Sequence, residues 1–192
     1  MIHTFTGPMH SGKSLELINL YKRIYRKDLV QAFKPRKDKR DLDQIKSHET
    51  DYSISAIYID DLSEIKEYIK EKNIHTVFID EANMLTGDTS ELVDLSVLCD
   101  IDFYIAGLNL TGEQKTFGIM GDILAVSDTI TTIPGFCDQC NKPAAYSYYL
   151  GDDSLDDIVP GDEMYLTLCT KCLRKKLLQK EPEKRRLLKW FT

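Results

Sequence analysis

Gly7-Pro8-Met9-His10-Ser11-Gly12-Lys13-Ser14 is the stretch that decides the fold of this chain. The octet satisfies G-x-x-x-x-G-K-[ST]: backbone N–H groups of the loop surround phosphates, the lysine brings a cation to the β/γ oxygens, and the hydroxyl meets Mg²⁺. Such a loop works only where a strand runs into a helix. Upstream, Ile2 to Thr6 has the β-branched and aromatic content of a short strand, and downstream Ser14 to Arg26 sets Leu17, Leu20, Tyr21 and Ile24 at helical spacing. The octet therefore reads as the phosphate loop of an ATP site, with Lys13 and Ser14 as its charged and metal-facing members.

Further out, Leu29 to Phe33, Ile54 to Ile59, Thr76 to Ile79 and Phe103 to Ala106 predict strands, and Leu62 to Lys72 and Thr89 to Leu98 predict helices between them. That alternation is the mark of an α/β fold, a parallel sheet flanked by helices. Val77-Phe78-Ile79-Asp80-Glu81 is an apolar strand ending in two carboxylates, which downstream of such a loop reads as the Mg²⁺-holding aspartate, Asp80, followed by a carboxylate, Glu81, able to take a proton or orient a water. Around Pro134 and Gly135 turn residues, cysteines and tyrosines replace the βα rhythm. The expected boundary lies there, with a P-loop domain over 1–134 and a smaller C-terminal domain over 135–192.

Four of the five cysteines form two Cys-x-x-Cys pairs, Cys137/Cys140 and Cys169/Cys172, a ligand set suited to a closed, structural Zn²⁺ site. Cys99, in the apolar run from Leu95, reads as a small core residue. A net charge of -6 excludes a general polyanion binder, so no nucleic-acid partner is expected. No apolar run approaches the length of a membrane span, and MIHTFTG lacks the layout of a signal peptide, so the reading is cytoplasmic with no membrane partner. The basic stretch from Arg174 to Lys189, interleaved with leucines, reads as a solvated amphipathic helix or tail. His3, His48 and His75 read as surface or strand-end residues, while His10 stands inside the phosphate loop, where it either contacts a phosphate or packs.

These motifs, in this order, resemble those of the zinc-containing (type II) thymidine kinases. The likeness runs from Ile2 to Cys172 and includes GPMHSGKS, Lys34-Pro35-Arg36-Lys37-Asp38-Lys39-Arg40 with Ser47-His48, Asp80-Glu81, Lys115-Thr116-Phe117-Gly118, both cysteine pairs and Tyr165. The resemblance implies a RecA-like core that binds ATP, a zinc-ribbon-like domain whose loop closes over the nucleoside as a lasso, and a homotetramer. By position, Glu81 is then the general base on the 5′-hydroxyl. Gly7, Pro8, Met9, His10, Ser11, Gly12, Lys13 and Ser14, with Asp38, Lys39, Arg40, Asp80, Ala82 and Asn83, line the ATP–Mg²⁺ side. Met9, Met84, Leu108, Gly112, Phe117, Ser147 and Tyr165, with Asp156, Asp157, Ile158, Val159 and Pro160 of the lasso, line the nucleoside.

Several positions depart from that family's pattern. Asn83-Met84 replaces a Gln-aromatic pair, Asn109 an Asp, Gly112 a Phe, Tyr149 an Arg, and Pro160 a Gly, which removes a backbone N–H. The missing ring at Gly112 predicts a looser base pocket that holds thymidine weakly or admits larger 5-substituents. The leading expectation is ATP-dependent phosphorylation of thymidine, for DNA precursor salvage. The alternatives are a kinase of another or 5-modified pyrimidine deoxynucleoside, a nucleotide-binding protein that has lost turnover, and, least favoured, a P-loop ATPase acting on nucleic acid.

Overall fold

The computed structural model describes residues 1–39, 43–47, 52–70, 72–151 and 162–180. The chain falls into two compact units, one of Met1–Gly7, Gly12–Asn109 and Thr116–Ile133, the other of Pro8–Ser11, Leu110–Lys115 and Pro134–Thr192.

The first unit is an α/β layer structure. In chain order it runs β1 (Ile2–Thr6), α1 (Lys13–Arg23), β2 (Val30–Pro35), β3 (Gln44–Lys46), β4 (Ser53–Ser55), β5 (Ile57–Ile59), α2 (Ser63–Lys70), β6 (Thr76–Ile79), α3 (Ser90–Cys99), β7 (Asp102–Gly107), α4 (Met120–Val126) and β8 (Thr129–Thr132). Six of these strands form one sheet in the order β5-β2-β6-β7-β1-β8, every neighbouring pair parallel. Alternate side chains go to opposite faces of a strand, and the core divides accordingly. Phe33, Val77, Ile79, Phe103 and Ile105 pack in one cluster with Ile65 of α2, Leu92 of α3 and Ile123 of α4. Ala32, Phe78 and Ala106 pack in the other with Leu17 and Ile18 of α1. Burial on both faces explains why these strands read as unbroken apolar runs.

The expected strand over 54–59 is two strands. Ala56 donates its N–H to Asp43 O and breaks the run, so that β4 pairs antiparallel with β3 while β5 joins the main sheet. Ile45 and Ile54 of that hairpin sit in the second cluster, covering the sheet beside α1. A second correction concerns Cys99, which is exposed, not core, because α3 ends there with Val97 and Leu98 also exposed.

The second unit contains β9 (Gly135–Phe136) paired antiparallel with β10 (Pro143–Ala144), β11 (Tyr146–Tyr149) paired antiparallel with β12 (Tyr165–Leu168), and α5 (Thr170–Lys180). Its small core consists of Ala144, Tyr148, Leu168 and Leu173 around Cys137, Cys169 and Cys172. Among the described residues no helix is long and apolar enough to cross a membrane.

Candidate active site

In a parallel sheet the ligand sits beyond the carboxyl ends of the strands, and in the first unit that edge carries the charged groups. β1 ends at Thr6, and α1 begins at Lys13 with Gly12 as N-cap in the left-handed region, at φ 84, a conformation glycine adopts without steric cost. Lys13 is buried at 8% exposure. At the end of β6, Asp80 donates its N–H to Phe33 O on β2, while its Oδ1 accepts the Glu81 N–H at 3.0 Å. The Asp80 carboxylate also accepts a hydrogen bond from the Ser14 side chain and feels the charge of Lys13. Burial, then the neighbouring Glu81 carboxylate, push the Asp80 carboxyl up from 3.8 to about 6 against the opposing pull of Ser14, the Glu81 N–H and Lys13. Glu81 itself has φ 51 and ψ 39, the left-handed region, and caps the 3₁₀ turn Ala82–Met84. A non-glycine residue held there costs on the order of 1 kcal/mol or more, the kind of strain that collects at functional sites.

One strand away, Lys34 and Asp38 form an ion pair at 3.1 Å with both side chains buried, and Lys34 Nζ also donates to Gln44 O at 3.0 Å. Lys34 is a site-side residue to which the sequence reading attached no role. The motif was visible, but only the structure shows its lysine turned inward as the counter-charge of Asp38. Lys39 is exposed, and Arg40 and His48 lie outside the described residues.

In the second unit Cys137, Cys140, Cys169 and Cys172 converge, their sulfurs all within 4.8 Å of one another, with Cys140 Sγ 3.6 Å from Cys169 Sγ and 3.7 Å from Cys172 Sγ. Four thiolates at about 2.3 Å from a tetrahedral Zn²⁺ stand roughly 3.8 Å apart, so the donor set fits a structural zinc. Asp138, inside the first pair, donates its N–H to Thr167 O and accepts the Thr167 N–H at 2.6 Å, tying that knuckle to β12. The second pair straddles the start of α5, where the helix dipole favours thiolates. The same unit holds Met9 of the phosphate loop by both backbone groups: its N–H donates to Ser147 Oγ at 2.9 Å, and its carbonyl accepts from Thr167 Oγ1 at 3.1 Å. Ser147 and Thr167 face each other across β11 and β12. Thr167 was not among the expected site residues, and no motif marks it. His10, two residues before Gly12, is exposed, with its backbone at φ 56.

A family model described as thymidine kinase matches residues 1–173. The chain belongs to the thymidine kinase family. It is 30% identical over 174 residues to the thymidine kinase of Myxoma virus (strain Lausanne), covering 89% of this chain and 94% of that protein. It is 36% identical over 139 residues to that of Aster yellows witches'-broom phytoplasma (strain AYWB), covering 71% of this chain and 66% of the relative. With the thymidine kinase of Pseudothermotoga lettingae identity is 30% over 175 residues, 88% of this chain and 92% of the other. The enzyme is thus a kinase that phosphorylates thymidine in nucleotide salvage, using ATP, and its cysteine cluster matches the zinc-containing type.

The remaining expected nucleoside-side residues of this kinase are distributed over both units. In the first, Asn83 Oδ1 accepts the Leu108 N–H at 2.9 Å, and Phe117 donates its N–H to Asn109 O at 3.2 Å. Gly118, at φ 51, lies so close to Asn83 O that no side chain fits there, which seats the turn after Phe117 on the segment following Glu81. Met84, Leu108 and Phe117 are half-buried. In the second, Tyr165 lies beside Tyr149, ring centroids 5.4 Å apart. Gly112 is buried, and the space its missing ring was expected to leave is already taken: a Cβ there would meet Tyr149 Cβ at 2.7 Å. The expectation of an open gap at Gly112 is corrected by that contact. Asp156, Asp157, Ile158, Val159 and Pro160 lie outside the described residues.

Proposed function

We propose that this thymidine kinase transfers the γ-phosphoryl group of Mg²⁺-ATP to the 5′-hydroxyl with Glu81 as general base. Glu81 takes the hydroxyl proton as the 5′-oxygen forms its bond to the γ-phosphorus, and the bond to the bridging oxygen breaks to release ADP. Lys13 offsets charge on the β/γ oxygens, and Gly7, Pro8, Met9, His10, Ser11 and Gly12 supply the loop around them. The hydrogen bond between the Ser14 side chain and Asp80 carries this reading, since it brings together one hydroxyl and one carboxylate, the hard oxygen donors that Mg²⁺ takes. When bound, that ion supplies neutralisation of phosphate charge. Glu81, next in the chain and held in a strained backbone, is within the same turn. Asp38, Lys39, Arg40, Ala82 and Asn83 complete the nucleotide side of the proposal.

The nucleoside side is proposed to comprise Met9, Met84, Leu108, Gly112, Phe117, Ser147, Tyr165 and the 156–160 segment. The Ser147 hydroxyl, which accepts from Met9 N–H, keeps its own hydrogen for an acceptor on the base. Zn²⁺ on Cys137, Cys140, Cys169 and Cys172 serves structure, in a C-terminal domain distinct from the P-loop domain. A cytoplasmic homotetramer without nucleic-acid or membrane partners is the proposed working form.

A radiolabelled-ATP transfer assay across thymidine, deoxyuridine, deoxycytidine and 5-substituted deoxyuridines tests the reading, run on wild type and Glu81→Gln with and without Mg²⁺. Mg²⁺-dependent transfer to thymidine that collapses in Glu81→Gln is expected. Full turnover by that variant would remove Glu81 from the role.

A further inference from the structure

Tyr149 ends β11 with a glycine at each end of its side chain, Gly112 against its Cβ and Gly151 against its ring tip. At the near end, a Cβ built on Gly112 would lie 2.7 Å from Tyr149 Cβ, 3.1 Å from Tyr149 N and 3.1 Å from Tyr165 Cε1. Two of those atoms belong to the strand and not to a flexible tip, so a side chain at 112 must displace either β11 or the 110–115 turn. That turn is itself fixed, by Thr111 N–H on Lys115 O at 2.8 Å and by Gln114 Nε2 on Gly112 O at 2.6 Å. At the far end, a Cβ on Gly151 would run into the Tyr149 hydroxyl and the ring atoms beside it. Between these stops Tyr149 is 9% exposed, and Tyr165, its register partner on β12, packs on its ring at an interplanar angle of 47°.

The stem of the 150–164 connection starts at the next residue. Leu150 donates its N–H to Met164 O at 2.9 Å, and Lys180 Nζ donates to Gly151 O at 2.7 Å. A ring stopped at both ends has one place to lie, and whatever leans on it inherits that place. Tyr149, Gly151 two residues on, and the sequence-distant Gly112 therefore act as one steric unit, with Tyr165 resting against it.

We propose that Tyr149 is a positioning residue for the nucleoside base: clasped by Gly112 and Gly151, it fixes the Tyr165 ring and the stem of the 150–164 connection, and so sets both affinity for thymine and the size of 5-substituent admitted. The inference rests on Tyr165 facing the base, as proposed above. The room at Gly112 is taken by the Tyr149 backbone and Cβ and by the edge of the Tyr165 ring.

The test is steady-state kinetics on the full-length, zinc-loaded enzyme, with KM for thymidine, KM for ATP and kcat read separately. Tyr149→Ala raises the thymidine KM about threefold to tenfold, the worth of one aromatic pair, and leaves the ATP KM within about twofold. Gly112→Ala, which pushes on the same strand, shifts the thymidine KM in the same direction. Tyr149→Phe, which keeps the ring, restores the wild-type KM, and Tyr149→Ala lowers the preference for thymidine over a bulky 5-substituted deoxyuridine in kcat/KM. If Tyr149→Ala fails to fold or to hold zinc, Tyr149→Leu carries the same expectation, because it keeps bulk without a flat ring. A thymidine KM unchanged in Tyr149→Ala or Tyr149→Leu, or moved equally with the ATP KM, overturns the proposal. Tyr165→Ala separates the two readings: if it leaves the thymidine KM unchanged, the base contact of Tyr165 is what fails, whereas a strong Tyr165 effect beside a silent Tyr149 defeats the clasp alone.

Discussion

Asp80→Asn offers the sharpest single perturbation, because it removes a charge that the fold holds at a cost. The Asp80 carboxyl is raised from its ordinary 3.8 to about 6, first by burial and then by Glu81. A folded-state value above the unfolded one means that the stability tied to the neutral form is fully present below pH 3.8 and is lost as pH rises through about 6. At 1.36 kcal/mol per pH unit, the part of that loss lying between pH 5 and pH 7.5 costs wild type about 1.4 kcal/mol that Asp80→Asn does not lose. For a chain of this size each kcal/mol moves Tm by about 2 to 4 °C, so the gap between variant and wild type should widen by about 3 to 6 °C between pH 5 and pH 7.5. The assay is thermal unfolding of nucleotide-free protein in magnesium-free buffer without chelator, where the pH response of the zinc thiolates is common to both proteins and cancels. Asp80→Asn should at the same time lose phosphoryl transfer. A Tm gap that stays constant across that pH range would refute the account of Asp80 as a buried carboxylate held beside a like charge.

Three further outcomes are expected. Glu81→Gln should lower kcat by about 10² to 10⁴, the usual contribution of a general base, while leaving the affinity for ATP measured by calorimetry nearly unchanged. Lys34→Met, which takes the buried cation from Asp38, should cost about 3 to 5 kcal/mol in denaturant unfolding, whereas the same change at the exposed Lys39 should be close to silent. Chelation of zinc, or Cys169→Ser, should expose the chain from Pro134 onward to limited proteolysis before the sheet unit melts, since the core of the second unit is small and built around three of the four thiols.

Much of the sheet unit was legible because strands buried on both faces leave continuous apolar runs, as in β6 and β7, and because α1 keeps its period. What escaped has physical reasons. β8 is a four-residue edge strand whose residues are all exposed, so it carries no apolar alternation. α4 is short and starts Met-Gly, so its seven residues make no clear stripe. The split at Ala56 depends on a hydrogen bond to Asp43 that periodicity does not encode. At the site, the phosphate loop, Asp80-Glu81 and the cysteine pairs announce themselves because their chemistry fixes their spacing. Lys34 pairs with Asp38 only four residues on, but that both are buried is not written in their spacing. Thr167 and Tyr149 have partners distant in sequence, Met9 and Gly112, and Gly112 misled for that reason: position by position it is a missing ring, and only in three dimensions is it the room that Tyr149 uses.

Cys99 gains a practical meaning from standing exposed at the end of α3, apart from the four converging thiols. Of the five cysteines in the chain, it alone is left out of the metal cluster, so a colorimetric thiol reagent should count one fast-reacting group per zinc-loaded molecule and five after chelation. A maleimide dye should then go to one known address without engineering, and any covalent dimer that forms on storage without reductant is expected to run through the Cys99 sulfur. Cys99→Ser should abolish any such dimer and leave the metal count untouched.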